Sequence, residues 1–444
     1  MAEIDAILQK YTDSETGSIH GASFVAVDAN GNDIYRKSFG HQKVDVKNSP
    51  PLTLDTVTWI ASQTKLTTSV SVMQIVERGL IGLDDDVREV LPQLKELKVL
   101  LGFEAEDGDI VEPEPTSEDS ERGPFSNKYP PKPKGKPIFE DLKGPITLRH
   151  LVTHTSGLCY DLASPLLMKY SAWIGRQENM FSGTIEGFFH PLLFQPGTSW
   201  TYGPGLDWAA KVVEKLTGLE FDEYQQKNIW LPLGARNTTF FPAKRGLTQE
   251  DIHQTGSRAK GKGSQNLEPG TCVWKFECRD ALGSGGLFST TNDYSKLLAA
   301  LLGGGGPLLS KASVDELFRP QIGPGAVKGL REFIIGTNLD NTQAPIWTGS
   351  AEEWQDVMEL QHSLCGVVNT EDVKARRRKN TVHWSGFPNL IWYIDRESGV
   401  AATFFTQLIP VGDRPARQIW LDLEEALYKI VNKKSTQELT EAKL

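Results

Sequence analysis

Leu66, Val70, Met73 and Val76 recur at the spacing of one helix face, and Gly79 follows them as a C-terminal stop. The same reading predicts helices over residues 1–12 and over Pro415–Val431. Elsewhere the pattern is that of strands. Ala22–Asp28 and Asp33–Phe39 flank the hairpin signal Asn30-Gly31-Asn32, and Leu390–Asp395 and Val400–Gln407 form two more apolar runs. Residues 147–235 read as helix-rich, with Thr147 as an N-cap candidate and Pro232-Leu233-Gly234 as the exit. Gly283–Ser289 returns the chain toward a sheet, and residues 322–380, with Trp347, Trp354 and several glycines, read as irregular. From Glu104 to Lys136 the composition turns acidic and rich in Pro, Gly and Ser, the signature of a loop. No internal repeat is visible.

Strands first, helices in the middle, then strands and a final helix describe an α+β chain whose sheet is assembled from both ends of the sequence. The expected division places 1–85 plus 283–444 in a mixed α/β domain that carries the Ser62 helix and the sheet. Residues 86–282 form a mainly helical domain with the acidic, Pro-rich loop at 104–136. A length of 444 residues agrees, since it exceeds what one hydrophobic core usually supports.

Composition narrows the function. A formal charge of −10 and a pI near 5.4 argue against nucleic acid as a partner. One dense basic run, Lys374-Ala375-Arg376-Arg377-Arg378-Lys379, reads as a solvated loop, with docking of an anionic cofactor or carrier protein as the sharper alternative. The four cysteines, Cys159, Cys272, Cys278 and Cys365, make neither a disulfide scaffold nor a zinc pattern. No signal peptide and no membrane-spanning run are visible, so the chain is expected to be intracellular, without a membrane partner. Ala442-Lys443-Leu444 resembles the S-K-L peroxisomal address with Ala in place of Ser; a frayed polar tail is the alternative, with a cytoplasmic protein as its consequence.

Candidate chemistry begins at Ser62-Gln63-Thr64-Lys65. On a helix, Ser62 and Lys65 share a face, and a buried amine beside a serine hydroxyl can take its proton or tune the group that does. The helix N-terminus adds backbone N–H groups and a positive field for an oxyanion. Tyr202 lies in a turn, Thr201-Tyr202-Gly203-Pro204-Gly205, at the entrance to a helix. It is either a base activated by a nearby lysine or a half-buried aromatic that caps the turn. His383-Trp384-Ser385-Gly386-Phe387-Pro388-Asn389 runs into a strand, where the amide of Phe387 is a second oxyanion donor or part of an edge-strand bulge. His150 and His154 have zinc-ligand spacing, but Leu151 stands where a zinc hydrolase needs Glu, so they read as a structural pair and no metal is expected. G-x-S-x-G, Walker and dinucleotide fingerprints are missing.

The order of these pieces is more specific than any one of them. Ala61-Ser62-x-x-Lys65, Thr147–Leu158, Pro196-Gly197 with Tyr202, Gly285-Gly286-Leu287-Phe288-Ser289 and Trp384-Ser385-Gly386 together resemble the serine β-lactamase and penicillin-binding-protein superfamily, in its class C and esterase branch. Tyr202–Trp208, Pro388-Asn389 and Phe404–Pro410 look most like the fungal lovastatin acyltransferase (transesterase) group. The resemblance implies a β-lactamase-like fold, a central antiparallel sheet flanked by helices with a large helical insertion. It also implies Ser62 as nucleophile, Lys65 as its partner, Tyr202 as general acid/base, and the backbone amides of Ser62 and Phe387 as oxyanion hole. Trp384, Ser385 and Gly386 stand at the family's K-T-G, and Tyr160 matches an aromatic expected to line the substrate pocket, with plain packing as its alternative. Pro204 replaces the Asn of the β-lactamase Y-x-N, and Trp384 replaces the Lys of K-T-G. Both changes point away from β-lactams and toward an ester or thioester with an apolar acyl part.

The implied function is a serine acyltransferase that moves an acyl group from a thioester donor, acyl-CoA or an acyl carrier protein, to an alcohol of a specialised metabolite. No cofactor is required. A carboxylesterase with water as acceptor shares every catalytic residue. A non-catalytic binding protein would need the site to be broken, and Ser62, Lys65 and Tyr202 are all present.

Overall fold

Apolar runs from the two ends of the chain meet in one sheet. The computed structural model describes residues 1–104, 110–111, 129–258, 266–337 and 360–441. Strands β1 (Gly21–Asp28) and β2 (Asp33–Gly40) join β3 (Leu360–His362), β4 (Val367–Asn369), β5 (Val382–Gly386), β6 (Leu390–Asp395) and β7 (Val400–Phe405). The order is β3-β4-β5-β6-β7-β1-β2, with every neighbouring pair antiparallel. The two ends are stitched together at β1 and β7, where Val25 lies opposite Thr403.

Both faces of this sheet are covered, which is why β6 and β7 read as nearly continuous apolar runs. Phe24, Ala26, Ile391, Tyr393 and Phe404 face helices α1 (Ala2–Thr12) and α6 (Arg414–Glu441), meeting Ile4, Leu8, Trp420 and Leu423. The residues between them, Val25, Val27, Trp392, Ile394 and Phe405, enter the larger core that contains helix α2 (Thr64–Glu77). A period of two thus divides each strand between two cores.

Helix α2 is buried from Thr64 through Ile75, so its polar side chains need partners inside the protein. The Thr68 hydroxyl donates to the Gly283 carbonyl at 2.6 Å, Ser69 to Leu364 at 2.7 Å, and the Gln74 amide to Leu308 at 3.2 Å. Each of these hydroxyls and amides would cost about 1–3 kcal/mol if left unpaired. They tie the helix to three distant segments. Gly79, with φ +69°, ends the helix as expected.

Between α2 and helix α4 (Thr291–Leu302) the chain builds α3 (Gly205–Thr217) and several short helices, among them Leu148–Val152, where the Thr147 hydroxyl accepts the His150 amide at 3.1 Å. Val99–Glu104 pairs with Ile110–Val111 and Pro137–Glu140, and Gly256–Arg258 with Leu267–Pro269 and Leu408–Ile409. Phe288–Ser289 pairs with Thr58–Trp59 in a separate ribbon rather than with the main sheet. Most of the acidic loop, 105–109 and 112–128, and the tail Ala442-Lys443-Leu444 lie outside the described residues. Among the described residues no helix is long and apolar enough to cross a membrane.

Three expectations are corrected. Residues 322–380 are not irregular throughout: helix α5 (Pro324–Thr337) and strands β3 and β4 lie within them, while Trp347 and Trp354 fall outside the described residues. The glycines that obscured α5 are its contact surface, since a Cβ at Gly325 would lie 2.5 Å from the Thr198 carbonyl oxygen and one at Gly329 would lie 2.8 Å from the Trp200 amide. The C-terminal helix does not stop at Val431 but continues to Glu441. The basic run is neither a solvated loop nor a docking patch at its centre. Arg376 and Arg377 are buried and each lies 2.9 Å from a carboxylate oxygen of Glu424 on α6, because a charge removed from water must be paired.

Candidate active site

The chain turns sharply ahead of α2. Ala61 has φ +46°, a left-handed conformation that costs a non-glycine residue about 1–3 kcal/mol. Ala61–Gln63 form a 3-10 turn, so Ser62 stands on a turn before the helix rather than within it. The turn is held by its surroundings. The Thr64 hydroxyl donates to the Ala61 carbonyl at 2.6 Å and accepts the Leu287 amide at 3.2 Å, and the Tyr294 hydroxyl donates to the Gln63 carbonyl at 3.0 Å.

Lys65, 3% exposed, reaches back to this turn. Its Nζ donates to Ser62 Oγ at 3.1 Å, to the Tyr160 hydroxyl at 3.2 Å and to the Ser284 carbonyl at 2.7 Å. Three oxygens around one nitrogen match the three donors of an ammonium. Tyr202 closes the group from the other side: its hydroxyl donates to Ser62 Oγ at 2.6 Å, and Lys65 Nζ lies 4.6 Å from its ring centre. The Tyr202 hydroxyl is thus aimed at Ser62 and is not merely packed in its turn.

Close packing explains the sequence around Tyr202. A Cβ at Gly203 would lie 1.9 Å from the Leu158 carbonyl oxygen, and one at Gly205 would lie 2.1 Å from that of Leu151. The Tyr202 turn therefore rests directly on the backbone of 151–158. Tyr160, in the continuation of that segment, is 7% exposed and its ring stands 5.3 Å from that of Tyr202. Burial, and then the neighbouring Tyr202, push its phenol well above the ordinary tyrosine range, so it stays protonated. Its contact with Lys65 was not legible in the sequence.

The third wall is the end of β5. Trp384, whose ring stands 5.3 Å from that of Tyr202, is followed by Ser385, Gly386 and Phe387, and all four line the same pocket as Ser62. A Cβ at Gly386 would lie 2.6 Å from the Ile60 carbonyl oxygen, so glycine lets the strand end approach the Ser62 turn. The pocket encloses about 240 Å³. Its remaining walls include Trp59, Met180, Phe181, Phe188, Trp274 and Phe333, which the sequence did not single out. They come from the Thr58–Trp59 strand, from a short helical turn, from loops and from α5, with no shared period or motif. Trp59 and Trp274 stack at 5.8 Å.

His150 and His154 do not act together. His150 closes the capping box with Thr147, whereas His154 lies past the helix end with φ +61°, buried beneath Tyr202 at a ring distance of 4.9 Å. Burial holds the His154 imidazole well below its ordinary range and hence neutral. Ser156 is also buried, and its hydroxyl accepts the Leu158 amide at 3.3 Å. All four cysteines are free.

The Beta-lactamase family model matches residues 4–426. The chain belongs to the beta-lactamase family. Within it, the chain is 33% identical to a lovastatin esterase of Penicillium rubens, over 89% of this chain and 90% of the relative. It is 32% identical to a monacolin J acid methylbutanoyltransferase of Aspergillus terreus, over 92% of each. The structure of unliganded simvastatin synthase from Aspergillus terreus superposes with a TM-score of 0.79 at 31% identity, covering 96% of this chain and 97% of the other. The fold is β-lactamase-like, and this family member is an acyl-transferring enzyme of the superfamily's esterase and acyltransferase branch.

Proposed function

We propose that this beta-lactamase-family enzyme acylates Ser62 from a thioester and passes the acyl group to the hydroxyl of a polyketide-type alcohol. The single observation that carries the catalytic assignment is the convergence of Tyr202 and Lys65 on one oxygen, Ser62 Oγ, at 2.6 and 3.1 Å. Once its own proton has passed to solvent, the Tyr202 oxygen takes the Ser62 proton while Lys65 as ammonium offsets the negative charge. Ser62 Oγ bonds to the thioester carbonyl carbon, and the oxyanion so formed is received by the backbone amides of Ser62 and Phe387. Collapse breaks the C–S bond, and Tyr202 returns the proton to the departing thiolate. The alcohol repeats the sequence: Tyr202 takes its proton, its oxygen attacks the acyl carbon, and Ser62 leaves with the proton restored.

The pocket supports an apolar acyl part. Trp59, Phe181, Phe188, Trp274 and Trp384 offer bulk without charge. An acyl-CoA and an acyl carrier protein remain alternative thioester donors. The lovastatin esterase relative favours a second reading, in which water replaces the alcohol. A mostly aromatic pocket gives a hydrolytic water few partners, which supports transfer.

Incubation with short acyl thioesters, with and without candidate alcohols, followed by intact-mass measurement, tests both. Transfer requires an acyl adduct that an alcohol discharges into a new ester. Discharge by water at a rate that no alcohol changes would replace transfer with hydrolysis.

A further inference from the structure

A buried carboxylate outside the proposed catalytic group is tied to it through one residue of backbone. Asp207 lies on α3, five residues after Tyr202, and is 1% exposed. Its Oδ1 accepts the Ser284 amide at 2.9 Å, and its Oδ2 has no hydrogen-bond partner among the described residues. The carbonyl of the same Ser284 receives Lys65 Nζ at 2.7 Å. Ser284 is thus held by a carboxylate at its amide and by the lysine at its carbonyl. The flanking carbonyls are clamped as well, Gly283 by the Thr68 hydroxyl at 2.6 Å and Gly285 by the Trp59 indole at 2.7 Å.

Lys65 makes no ion pair among the described residues; its three partners are two hydroxyls and a carbonyl. The charged and titratable groups that act on Asp207 are Lys65 from α2, Lys211 from its own helix, and Tyr160 from the 158–160 segment. Lys211 is already paired with Glu214 at 2.8 Å and Asp280 at 3.2 Å. Lys65 is therefore the cation left for Asp207 to balance.

We propose that Asp207 is a positioning residue for Lys65: its negative charge, and its hold on Ser284, keep the lysine an ammonium aimed at Ser62 and Tyr202. The inference rests on the roles proposed above for Ser62, Lys65 and Tyr202. It has a pH signature. Burial pushes the Asp207 carboxyl up to about 6. Above that pH it is ionised and the ammonium has its counter-charge. Below it the carboxyl takes up a proton and the buried ammonium beside Ser62 loses its balance. Acylation should therefore fall as pH drops through about 6.

The test is Asp207→Asn, which retains an acceptor for the Ser284 amide, removes the charge and puts an NH2 group in place of the unpartnered Oδ2. The pH profile of kcat/KM for thioester consumption is measured for both proteins, together with the acyl adduct on wild-type Ser62. The expected result is a loss of about tenfold or more on the alkaline plateau, the effect of displacing a proton equilibrium by one pKa unit. The acid limb should vanish with the carboxyl, and the thermal melt should stay unchanged. An Asn variant with the wild-type rate and acid limb would overturn the proposal, even with the wild-type Ser62 adduct present. Lack of that adduct in the wild type would instead overturn the catalytic reading beneath it. Should the variant not fold, infrared titration of the wild type replaces it. A buried carboxyl protonating in step with the acid limb supports the role, and a limb without one overturns it.

Discussion

Ser62 Oγ shares its hydrogen bonds between Tyr202 and Lys65, and among the described residues no other serine hydroxyl is held by that pair. Ser156, in the Thr155-Ser156-Gly157 turn, is buried and its hydroxyl accepts the Leu158 amide. Ser62→Ala should therefore abolish the acyl adduct by intact mass and reduce turnover by several orders of magnitude. In the proposed mechanism Lys65 and Tyr202 form one proton-handling unit on one oxygen. Lys65→Ala and Tyr202→Phe should each cost about as much as the double variant; independent, multiplicative losses in kcat/KM would separate their roles. Pro204 has no side-chain donor and Trp384 no charge, so turnover of penicillins should be negligible beside that of simple esters, as a direct spectrophotometric comparison will show.

At the scale of elements, α5 shows how the pocket is completed from afar. Gly325 and Gly329 let this helix lie on the backbone of Thr198–Trp200, and Phe333 then reaches a ring distance of 5.7 Å from Tyr202. Gly329→Ala places a methyl group 2.8 Å from the Trp200 amide, where neither backbone can yield cheaply. Overpacking of this kind costs about 1–3 kcal/mol. The expected outcome is a lower melting temperature together with a raised KM for the acyl donor, since Phe333 moves with the helix. A lower melting temperature with unchanged KM would mean that Phe333 packs and does not shape the pocket. Helix α2 behaves differently. Its periodic apolar face was legible, but the two hydroxyls and the Gln74 amide that dock it on the carbonyls of Gly283, Leu364 and Leu308 look in sequence like an exposed polar face.

Over the whole molecule, the joining of the two chain ends is secured by charge as well as by the sheet. Glu424 of α6, fully buried, meets Arg376 and Arg377 from the segment between β4 and β5. Removing one partner of a buried ion pair strands the other and costs about 3–5 kcal/mol. Glu424→Ala should lower stability by about that amount in urea unfolding. Its effect on acylation should be small wherever the protein remains folded, because the pair lies away from the residues that line the pocket. The centre of a basic run, Arg376 and Arg377, is thus part of the interior of the folded chain.

Local signals determined a good deal of this. The hairpin at Asn30-Gly31-Asn32, strand Leu390–Asp395, the Thr147 cap and the S-x-x-K face needed only periodicity, turn chemistry and side-chain spacing, all properties of neighbours along the chain. The motif order was enough to name Ser62, Lys65 and Tyr202, which lie up to 140 residues apart and meet within hydrogen-bond distance. The tertiary structure alone decided what surrounds them. Tyr160 and the Ser284 carbonyl on Lys65, Asp207 behind Ser284, and Trp274 and Phe333 in the pocket all arrive by close approach of segments that share no period. It also decided which charges are inside: Arg376 and Arg377 look solvated in sequence, and burial is settled by a partner 48 and 47 residues further on, at Glu424. Spacing along a helix or strand is a local constraint, whereas desolvation and contact are set by whatever the rest of the chain brings alongside.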